Sequence, residues 1–458
     1  MAHHFDAALI ARYDGNGPRY TSYPTALHFA PSFDEAALRK AIAATNNLSP
    51  PRPLSAYIHV PFCHSPCFYC GCNRVITRDA NKSHRYLSVL SQEVARLAPL
   101  FHQDRSLHQL HLGGGTPNSL DIDQMTALMA ALERHFHLAP PSQREFGFEM
   151  DPRHADADYV SALARLGFNR LSVGIQDFSP AVQAAVNRLQ SPEQTRRVIE
   201  AARTNGFRSI SVDLMYGLPR QTQPDFARTL DTVLSLAPDR LAVYGYAHLP
   251  HLFRAQSHIK AEETPSAAER LDLFGQALET LTGAGYVYIG MDHFALPGDD
   301  LVRAQRAGTL QRNFQGYSTF GHCDIVGLGP SAISRIGDTY SQSIRDLAGY
   351  SAAVLGGNLP VARGIALTAD DRLRREVINT LMCDGELDML AFSESHHLDF
   401  PSYFGQELVR LYRLGEDGLV AVDDRRIRVT PTGRFLLRQI AMSFDAYLPA
   451  KQHGARLI

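Results

Sequence analysis

Residues 54–73 read LSAYIHVPFCHSPCFYCGCN, a short apolar stretch that runs directly into a loop with four cysteines. The apolar stretch has the β-branched and aromatic composition of a buried strand. Cys63, Cys67 and Cys70 then follow with the spacing C-x3-C-x2-C, and Cys72 stands two residues further on. With only six cysteines among 458 residues, the chain is not a disulfide scaffold, so this cluster calls for another explanation.

The cysteine stretch opens an alternation of strands and helices that continues to about residue 290. The helical stretches between the strands carry apolar residues at i, i+3, i+4 and i+7. The predicted strands are 54–60, 107–112, 145–150, 170–176, 208–214 and 240–246. Successive βα units predict a parallel sheet with right-handed crossovers, and these six are too few for a closed eight-stranded barrel. We therefore expect an α/β protein built on an open, partial (β/α)6 barrel.

The rest of the chain departs from this alternation and predicts further parts around the barrel. Residues 1–53 form a Pro- and Tyr-rich arm with one short helix, which we expect to cover the site. The barrel occupies residues 54–300, and residues 301–365 are a connecting region that contributes to the site. Residues 366–458 predict a mainly helical domain with a β-hairpin leading into a helix, as in a winged-helix unit.

Charge and hydropathy limit the classes of partner. Forty-five Lys and Arg against 47 Asp and Glu give a net charge of −2, so no overall basic field attracts nucleic acid or a membrane. Five arginines in segment 414–440 could form a local nucleic-acid surface, although such a run is more often a solvated face. No apolar run approaches the ~20 residues of a membrane span, and the N terminus has no signal-peptide pattern. We expect a cytoplasmic protein.

The cysteine loop is compatible with two kinds of metal site. A structural zinc site takes four closed ligands, commonly as two pairs roughly 12–20 residues apart, and no second pair follows here. Three cysteines on one loop suit a [4Fe–4S] cluster in which one iron stays open to a ligand. The spacing favours the cluster and leaves zinc as the alternative.

Glycines and polar residues end the later predicted strands. Gly113–Gly115 and Thr116 follow the second strand, without the Lys-Ser/Thr of a phosphate-binding loop. Glu149, Gln176 and Asp213 close later strands. A carboxylate at the end of a buried strand requires a partner, which ribose hydroxyls or a structural arginine would supply. Because the carboxyl ends of parallel strands meet at one edge, these residues together predict a ligand site there.

The three-cysteine spacing in a βα loop resembles that of the radical S-adenosylmethionine (SAM) superfamily. Within it, the chain is similar to the oxygen-independent coproporphyrinogen III oxidases from about residue 10 to near the end. The motifs that carry this resemblance, in order, are GPRYTSYPTA, YIHVPFCHSPCFYCGCN, LHLGGGTP, FEMDPR, SVGIQDF, VNRLQ, DLMYGLP, YAHLP, GMDHFA and FQGYSTFGHCDIVGLGPSAIS.

The resemblance implies an oxidoreductase of porphyrin and haem biosynthesis. The implied reaction is the oxygen-independent oxidative decarboxylation of two propionates of coproporphyrinogen III to vinyl groups, which gives protoporphyrinogen IX through a 5′-deoxyadenosyl radical. It implies one [4Fe–4S] cluster, two SAM molecules, a reduced donor such as flavodoxin or ferredoxin, an unidentified final electron acceptor, and a monomer. The alternative is a haem-binding or trafficking protein on the same scaffold. Such relatives generally have Phe at the position of Cys72 and lack the PRYTSYPTA segment, so this chain favours the oxidase.

The resemblance also implies roles for individual residues. The cluster would be held by Cys63, Cys67 and Cys70, and Cys72 would not be a ligand. The first SAM would be contacted by Tyr57, Gly114, Glu149 and Ile333. The second SAM would be contacted by Tyr69, Gly115, Thr116, Gln176, Arg188, Asp213 and Ala247.

No catalytic side chain is assigned, but the arm offers candidates for the substrate site. Arg19, Tyr20 and Tyr23 lie in a segment outside the barrel pattern, where no core requires so many polar aromatic residues. The segment PRYTSYP either packs across the open edge of the barrel or also lines the mouth of the site and holds a propionate.

Overall fold

A computed structural model describes residues 6–13, 15 and 17–448. The strands are β1 Leu54–Val60, β2 Phe62–Cys63, β3 Val75–Ile76, β4 Leu107–Gly114, β5 Glu145–Met150, β6 Arg170–Gln176, β7 Ser209–Tyr216, β8 Arg240–Gly245, β9 Val287–Gly290, β10 His293–Ala295, β11 Gln311–Asn313, β12 Gly316–Ser318, β13 Asp324–Leu328, β14 Ile333–Ile336, β15 Thr339–Ser343, β16 Val361–Ala366, β17 Glu386–Asp388, β18 Val420–Val422 and β19 Arg426–Val429. The α-helices are α1 Ala7–Tyr13, α2 Glu35–Asn46, α3 Ala80–Leu97, α4 Ile122–His135, α5 Ala157–Arg165, α6 Pro180–Ala185, α7 Pro192–Thr204, α8 Gln223–Ser235, α9 Ala267–Gly283, α10 Asp300–Arg306, α11 Leu347–Leu355, α12 Ala369–Cys383, α13 Met389–His396, α14 Phe400–Tyr403, α15 Gly405–Glu416 and α16 Leu437–Met442.

The predicted strands are all present as β1, β4, β5, β6, β7 and β8, which pair in parallel in that order. The helices predicted between them are also present, and local sequence explains where they start. Helix α4, for example, begins with a capping box, in which the Asp121 side chain accepts from the Gln124 amide and the Gln124 side chain accepts from the Asp121 amide. The partial parallel barrel predicted from the sequence is confirmed.

The sheet extends beyond these strands on both sides. Strand β13 pairs in parallel with the free edge of β1, and β14, β15 and β16 continue from it in antiparallel order. On the other side, β10 and then β9 add antiparallel to β8. No pattern in the sequence predicts these strands. Each spans only three to six residues, and β13 is buried throughout, so it has no alternation to reveal it.

The two faces of β1 explain how the sheet separates core from site. Alternate side chains of this strand are fully buried in the hydrophobic core, namely Leu54, Ala56, Ile58 and Val60. The side chains between them are polar and bond across to neighbouring strands, as Ser55 does to Gln109 at 2.8 Å. This period of two places the polar set on the face that carries the site.

Glu93 is one of several buried acids in the described part of the chain. Glu93 of α3 is 2% exposed and accepts hydrogen bonds from the Gly329 amide at 2.9 Å and the Tyr350 hydroxyl at 2.5 Å. Burial raises the pKa of Glu93 to about 7, although both bonds act in the opposite direction. The carboxyl is therefore close to half protonated near neutral pH.

The C-terminal part contains helices α12 to α16 and a small sheet with the order β17-β19-β18. The predicted hairpin is β18 and β19, and the helix after it is α16. Arginines of this hairpin form ion pairs with neighbouring acids, as Arg426 does with Glu386 at 2.9 Å and Arg425 with Asp388 at 2.8 Å. Within the described residues, no helix has both the length and the hydropathy to cross a membrane.

Candidate active site

The cysteine loop is fixed at the carboxyl end of β1 by its own backbone. Strand β2, which ends at Cys63, pairs in parallel with β3 and so closes the loop between them. Inside the loop, Arg74 donates to the carbonyls of Cys70 at 2.8 Å and Cys67 at 3.2 Å. The three predicted ligand cysteines are thus held on one short, internally bonded segment.

The thiols of this loop are surrounded by hydrogen-bond donors. Cys63 Sγ lies 3.3 Å from Thr116 Oγ1, and Cys70 Sγ accepts from the Cys72 amide at 3.4 Å. Cys67 Sγ lies 3.7 Å from guanidinium nitrogens of both Arg153 and Arg188. Cationic and amide donors stabilise the thiolate form that binds metal. The donor set therefore fits a group that takes three thiolates.

The arrangement also bears on the zinc alternative. Among the residues that the structure describes, no three His, Cys, Asp or Glu side chains converge as ligands of a single metal ion. A [4Fe–4S] cluster does not require that convergence, because each thiolate binds a different iron.

Two adjoining cavities lie beside the loop. The Tyr57 chamber, of about 280 Å³, is lined by all four residues predicted for the first SAM: Tyr57, Gly114, Glu149 and Ile333. The cysteine chamber, of about 190 Å³, is lined by the three predicted ligand cysteines and by Tyr69, Gly115, Thr116, Gln176, Arg188 and Asp213. Gly114, Glu149 and Cys72 line both chambers. The sequence-predicted residues are therefore brought together, with the two sets on two connected spaces.

Ala247 is placed differently from the rest of the second set. It does not line either chamber within the described structure. Its carbonyl accepts a hydrogen bond from the side-chain Nε2 of Gln256 at 3.1 Å, and the same nitrogen donates to the Tyr69 carbonyl at 2.9 Å. Ala247 is connected to the chamber wall through Gln256.

Glu149 stands between the two chambers with a partner that the sequence analysis does not name. His111 Nε2 donates to Glu149 Oε1 at 2.9 Å, and the Gly114 amide donates to the other oxygen at 3.3 Å. Burial favours the neutral acid, but the bond and charge of His111 outweigh it and hold the pKa of Glu149 below its ordinary value. The His111 ring also stacks on Tyr57, with centroids 6.0 Å apart. The site thus presents an ionised, oriented carboxylate.

Asp213 has the opposite electrostatic setting. Burial, and then the charge of Glu149, raise the pKa of Asp213 to about 7. Its nearest hydrogen bond is the 3.3 Å contact from the Ser172 hydroxyl. A ligand that donates further hydrogen bonds to this carboxyl, as ribose hydroxyls do, would stabilise its ionised form.

Arg188 connects the cysteine loop to the strand ends. Its guanidinium donates to the Gly174 carbonyl at 2.6 Å and lies 3.2 Å from Asp151, which is also paired with Arg153 at 2.6 Å. Its Nε is buried and has no hydrogen-bond partner within the described part of the chain. The group therefore keeps one unused donor beside the chamber that it lines.

The glycine run is explained by close packing around the loop. A Cβ at Gly115 would lie 2.7 Å from the Phe62 carbonyl oxygen and 3.1 Å from Cys63 Sγ. Gly114 has φ +116°, and a Cβ there would lie 2.7 Å from the His59 ring. Only glycine allows the β4 end to approach the cysteine loop this closely.

Arg19, Tyr20 and Tyr23 of the arm form hydrogen bonds or ion pairs with other parts of the protein. Arg19 pairs with Asp292 and lies over the Tyr244 ring at 5.7 Å. The Tyr20 hydroxyl donates to Asp445 at 2.9 Å, and the Tyr23 hydroxyl accepts from the backbone amide of residue 446 at 3.0 Å. The segment thus packs onto the barrel and the C-terminal segment, and its contact with substrate stays a prediction.

Sequence reasoning missed several residues around the site. His111 stands two positions before the glycine run, where strand alternation alone would put it on the same face as Gly113. Phe314 and Gln315 line the Tyr57 chamber from a β-hairpin that sequence periodicity does not reveal. Asp151 and Arg153 lie two positions apart in the quoted motif FEMDPR and form an ion pair at 2.6 Å that no pattern in the sequence predicts.

A parallel βα barrel whose first strand enters a three-cysteine loop, with glycine and carboxylate residues at the following strand ends, defines a radical SAM enzyme. The family model of the Radical SAM superfamily matches residues 57–233, and that of the HemN C-terminal domain matches residues 367–436. Full-length relatives that are 47–48% identical show that the chain belongs to the oxygen-independent coproporphyrinogen III oxidase family. Membership of the radical SAM superfamily implies a [4Fe–4S] cluster and SAM.

Individual relatives cover nearly the full length. The chain is 48% identical over 460 residues to the oxygen-independent coproporphyrinogen III oxidase of Pseudomonas aeruginosa, and the match covers 99% of each chain. It is 47% identical to that of Escherichia coli K12, covering 98% of this chain and 96% of the relative. The solved coproporphyrinogen III oxidase (HemN) from Escherichia coli, described as a radical SAM enzyme, superposes with a TM-score of 0.92 at 46% identity. That match covers 98% of this chain and 100% of the other.

Proposed function

We propose that this protein is an oxygen-independent coproporphyrinogen III oxidase. It oxidatively decarboxylates two propionate side chains of coproporphyrinogen III to vinyl groups and so produces protoporphyrinogen IX. The observation that carries the proposal is the near-50% identity to curated oxidases over 99% of both chains. Haem trafficking on the same scaffold is not favoured, because the chain has Cys72 in its cysteine loop and the PRYTSYPTA arm.

Cys63, Cys67 and Cys70 hold the cluster in this proposal, and Cys72 stays unligated. When bound, the cluster would supply an electron and SAM would supply the radical chemistry that removes hydrogen from the propionate β-carbon. The chain contributes charge and orientation: Arg153 and Arg188 place positive charge against Cys67. The hydrogen-bonded loop keeps the thiolates at one end of the barrel, where the strand ends converge.

Two SAM molecules bind side by side in this proposal. The first occupies the Tyr57 chamber, with Glu149 as a hydrogen-bond acceptor for its hydroxyl or amino groups. The second occupies the cysteine chamber, where Arg188 pairs with its carboxylate and Asp213 accepts from its ribose. Two adjoining cavities, one with an ionised carboxylate and one with an unused guanidinium donor, support this assignment.

The remaining parts of the proposal concern the periphery. The arm, residues 1–53, covers the site, and Arg19, Tyr20 and Tyr23 help to position substrate. Residues 54–300 are the barrel, residues 301–365 complete the first SAM site, and residues 366–458 are the C-terminal domain. A reduced flavodoxin or ferredoxin supplies electrons to a monomer, and no nucleic acid takes part.

An anaerobic turnover assay tests the function. Reconstituted protein is incubated with SAM, dithionite and coproporphyrinogen III, and the oxidised porphyrins are separated by chromatography. We expect a monovinyl intermediate and then protoporphyrin IX, with none from the Cys67→Ala variant. Haem binding and transfer by the unmutated protein, without any vinyl product, would replace the oxidase with the trafficking alternative.

A further inference from the structure

A further cavity, of about 900 Å³, lies between the arm, β11, β14 and α12. Five arginines line it: Arg52, Arg312, Arg335, Arg372 and Arg375. We call it the arginine cavity. Tyr20, Tyr23 and Tyr340 also line it, and each of them is 5% exposed or less.

The positive charge of this cavity is only partly matched by the protein. Arg372 and Arg375 share Asp338, at 3.6 Å and 3.0 Å. Arg335 donates to two backbone carbonyls, at 2.8 Å and 2.6 Å. The acid in the described lining is Glu376, which pairs with His396 at 3.1 Å. Arg52 lies 3.7 Å from Asp324, which also pairs with Arg105 at 2.5 Å. The five guanidinium groups of the cavity therefore still outnumber the acids beside them.

Arg312 has a buried guanidinium nitrogen whose hydrogen-bonding capacity the described part of the chain does not use. It is 7% exposed, its Nε donates to the Arg19 carbonyl at 3.2 Å, and its guanidinium lies 4.9 Å from the Tyr317 ring centroid. Its Nη1 is buried without a hydrogen-bond partner in the part of the chain that the structure describes. A buried charged donor left unpaired is costly, so the site is built for an anion.

The arginine cavity is a neighbour of the Tyr57 chamber. Ile333 lines the chamber and Arg335 lines the cavity, and they lie on one face of β14 at a separation of about 7 Å. The β11–β12 hairpin also spans both spaces, with Arg312 in the cavity and Phe314 in the chamber. The Phe314 ring stands 6.1 Å from the Tyr340 ring, so these two side chains separate the spaces.

We infer that the arginine cavity binds the propionates of the porphyrinogen that are not reacting, with Arg312 as the principal carboxylate anchor. This inference rests on the proposed function, in which the substrate carries four carboxylates and one reacts at a time. Guanidinium groups bind carboxylates through paired, charge-assisted hydrogen bonds. The reacting propionate extends past Phe314 towards the Tyr57 chamber.

The test measures binding of coproporphyrin III, the stable oxidised tetracarboxylate, to cluster- and SAM-loaded protein by its absorption shift. We expect Arg312→Gln to raise the Kd at least tenfold, because a charge-assisted bond to a carboxylate is lost. Coproporphyrin III tetramethyl ester, which has the same ring without charge, should bind both proteins alike. The matched control is Arg165→Gln, since Arg165 is exposed on α5 and donates to Ser161 of its own helix at 3.3 Å.

A second variant keeps the test decisive if Arg312→Gln misfolds. The Arg372 side chain is 47% exposed, so Arg372→Gln should fold normally and still raise the coproporphyrin III Kd about threefold. Unchanged affinity in Arg372→Gln, and in any folded Arg312 variant, would overturn the inference while leaving the oxidase activity of the unmutated protein intact. Absence of vinyl product from the unmutated protein would instead refute the proposed function.

Discussion

Replacing Arg188 with Gln tests the division between two SAM sites. The guanidinium lines the cysteine chamber and not the Tyr57 chamber, and its Nε has no partner among the described residues. Asp151 should remain paired after the change, since Arg153 contacts it through both Nε and Nη2. The substitution therefore removes a donor for the second SAM, together with the contacts of Arg188 with Gly174 and Cys67, and leaves the Asp151–Arg153 ion pair in place.

The expected magnitude follows from the kind of bond removed. A hydrogen bond between a guanidinium and a carboxylate contributes about 1.5–3 kcal/mol. At about 1.4 kcal/mol for each factor of ten, the Kd of the second SAM should rise roughly 10- to 150-fold. The first SAM lies against Tyr57, Glu149 and Ile333, which Arg188 does not contact, so its Kd should stay unchanged.

Equilibrium dialysis of labelled SAM against anaerobically reconstituted protein would measure both events. The unmutated protein should bind two SAM molecules per chain, and Arg188→Gln should retain one tight site and one weakened site. Arg188→Lys keeps the positive charge but lacks the planar guanidinium, so its Kd for the second SAM should lie between those of the unmutated protein and Arg188→Gln. Arg196→Gln, on the exposed side of α7, is the matched control. One SAM per unmutated chain, or equal weakening of both sites, would refute the reasoning.

Three further predictions concern the cluster, Glu93 and the arm. Alanine at any one of the three predicted ligand cysteines should abolish iron binding, whereas Cys72→Ser should keep most of it; equal iron loss in all variants would indicate a four-cysteine site. The pKa of the Glu93 carboxyl is about 4.3 in the unfolded chain and about 7 in the folded protein. The free energy that the protonated carboxyl contributes to folding is therefore fully present below about pH 4.3 and is lost as the pH rises through about 7. Glu93→Gln should therefore be about 3 kcal/mol more stable than the unmutated protein in urea at pH 8 and nearly equal to it below pH 5, and a pH-independent difference would contradict this. Arg19→Ala should keep its iron and SAM but lose decarboxylation of coproporphyrinogen III, and full activity would exclude the arm from the mechanism.

The parts of the fold that the sequence predicts are those with a strong local signal. Strand β1 alternates apolar and polar residues, and α4 begins at an Asp-x-x-Gln capping box, so both are recognisable from their own residues. Strand β14 spans four residues and β15 five, and their positions depend on pairing with β13. No local pattern contains that information.

The site also contains residues that the sequence predicts and residues that it does not. The cysteine loop and the glycine run are contiguous motifs, and their residues meet as the motifs predict. The partner of Glu149 is His111, 38 positions earlier, and the sequence analysis considers an arginine or ribose hydroxyls instead. The arginine cavity combines Arg52 with Arg312 and Arg375, which are far apart in the chain and are brought together only by the sheet and α12.

The position of β1 between β4 and β13 has a consequence for synthesis of the protein. The strand that leads into the cysteine loop pairs on one side with residues 107–114, but its other edge is covered only by residues 324–328. A nascent chain therefore carries an open β1 edge until the ribosome has passed residue 328, and unpaired strand edges promote aggregation. We expect ribosome-bound chains that end before residue 320 to be protease-sensitive around the cysteine loop. Iron–sulfur assembly on this protein would then follow the release of β13 from the exit tunnel.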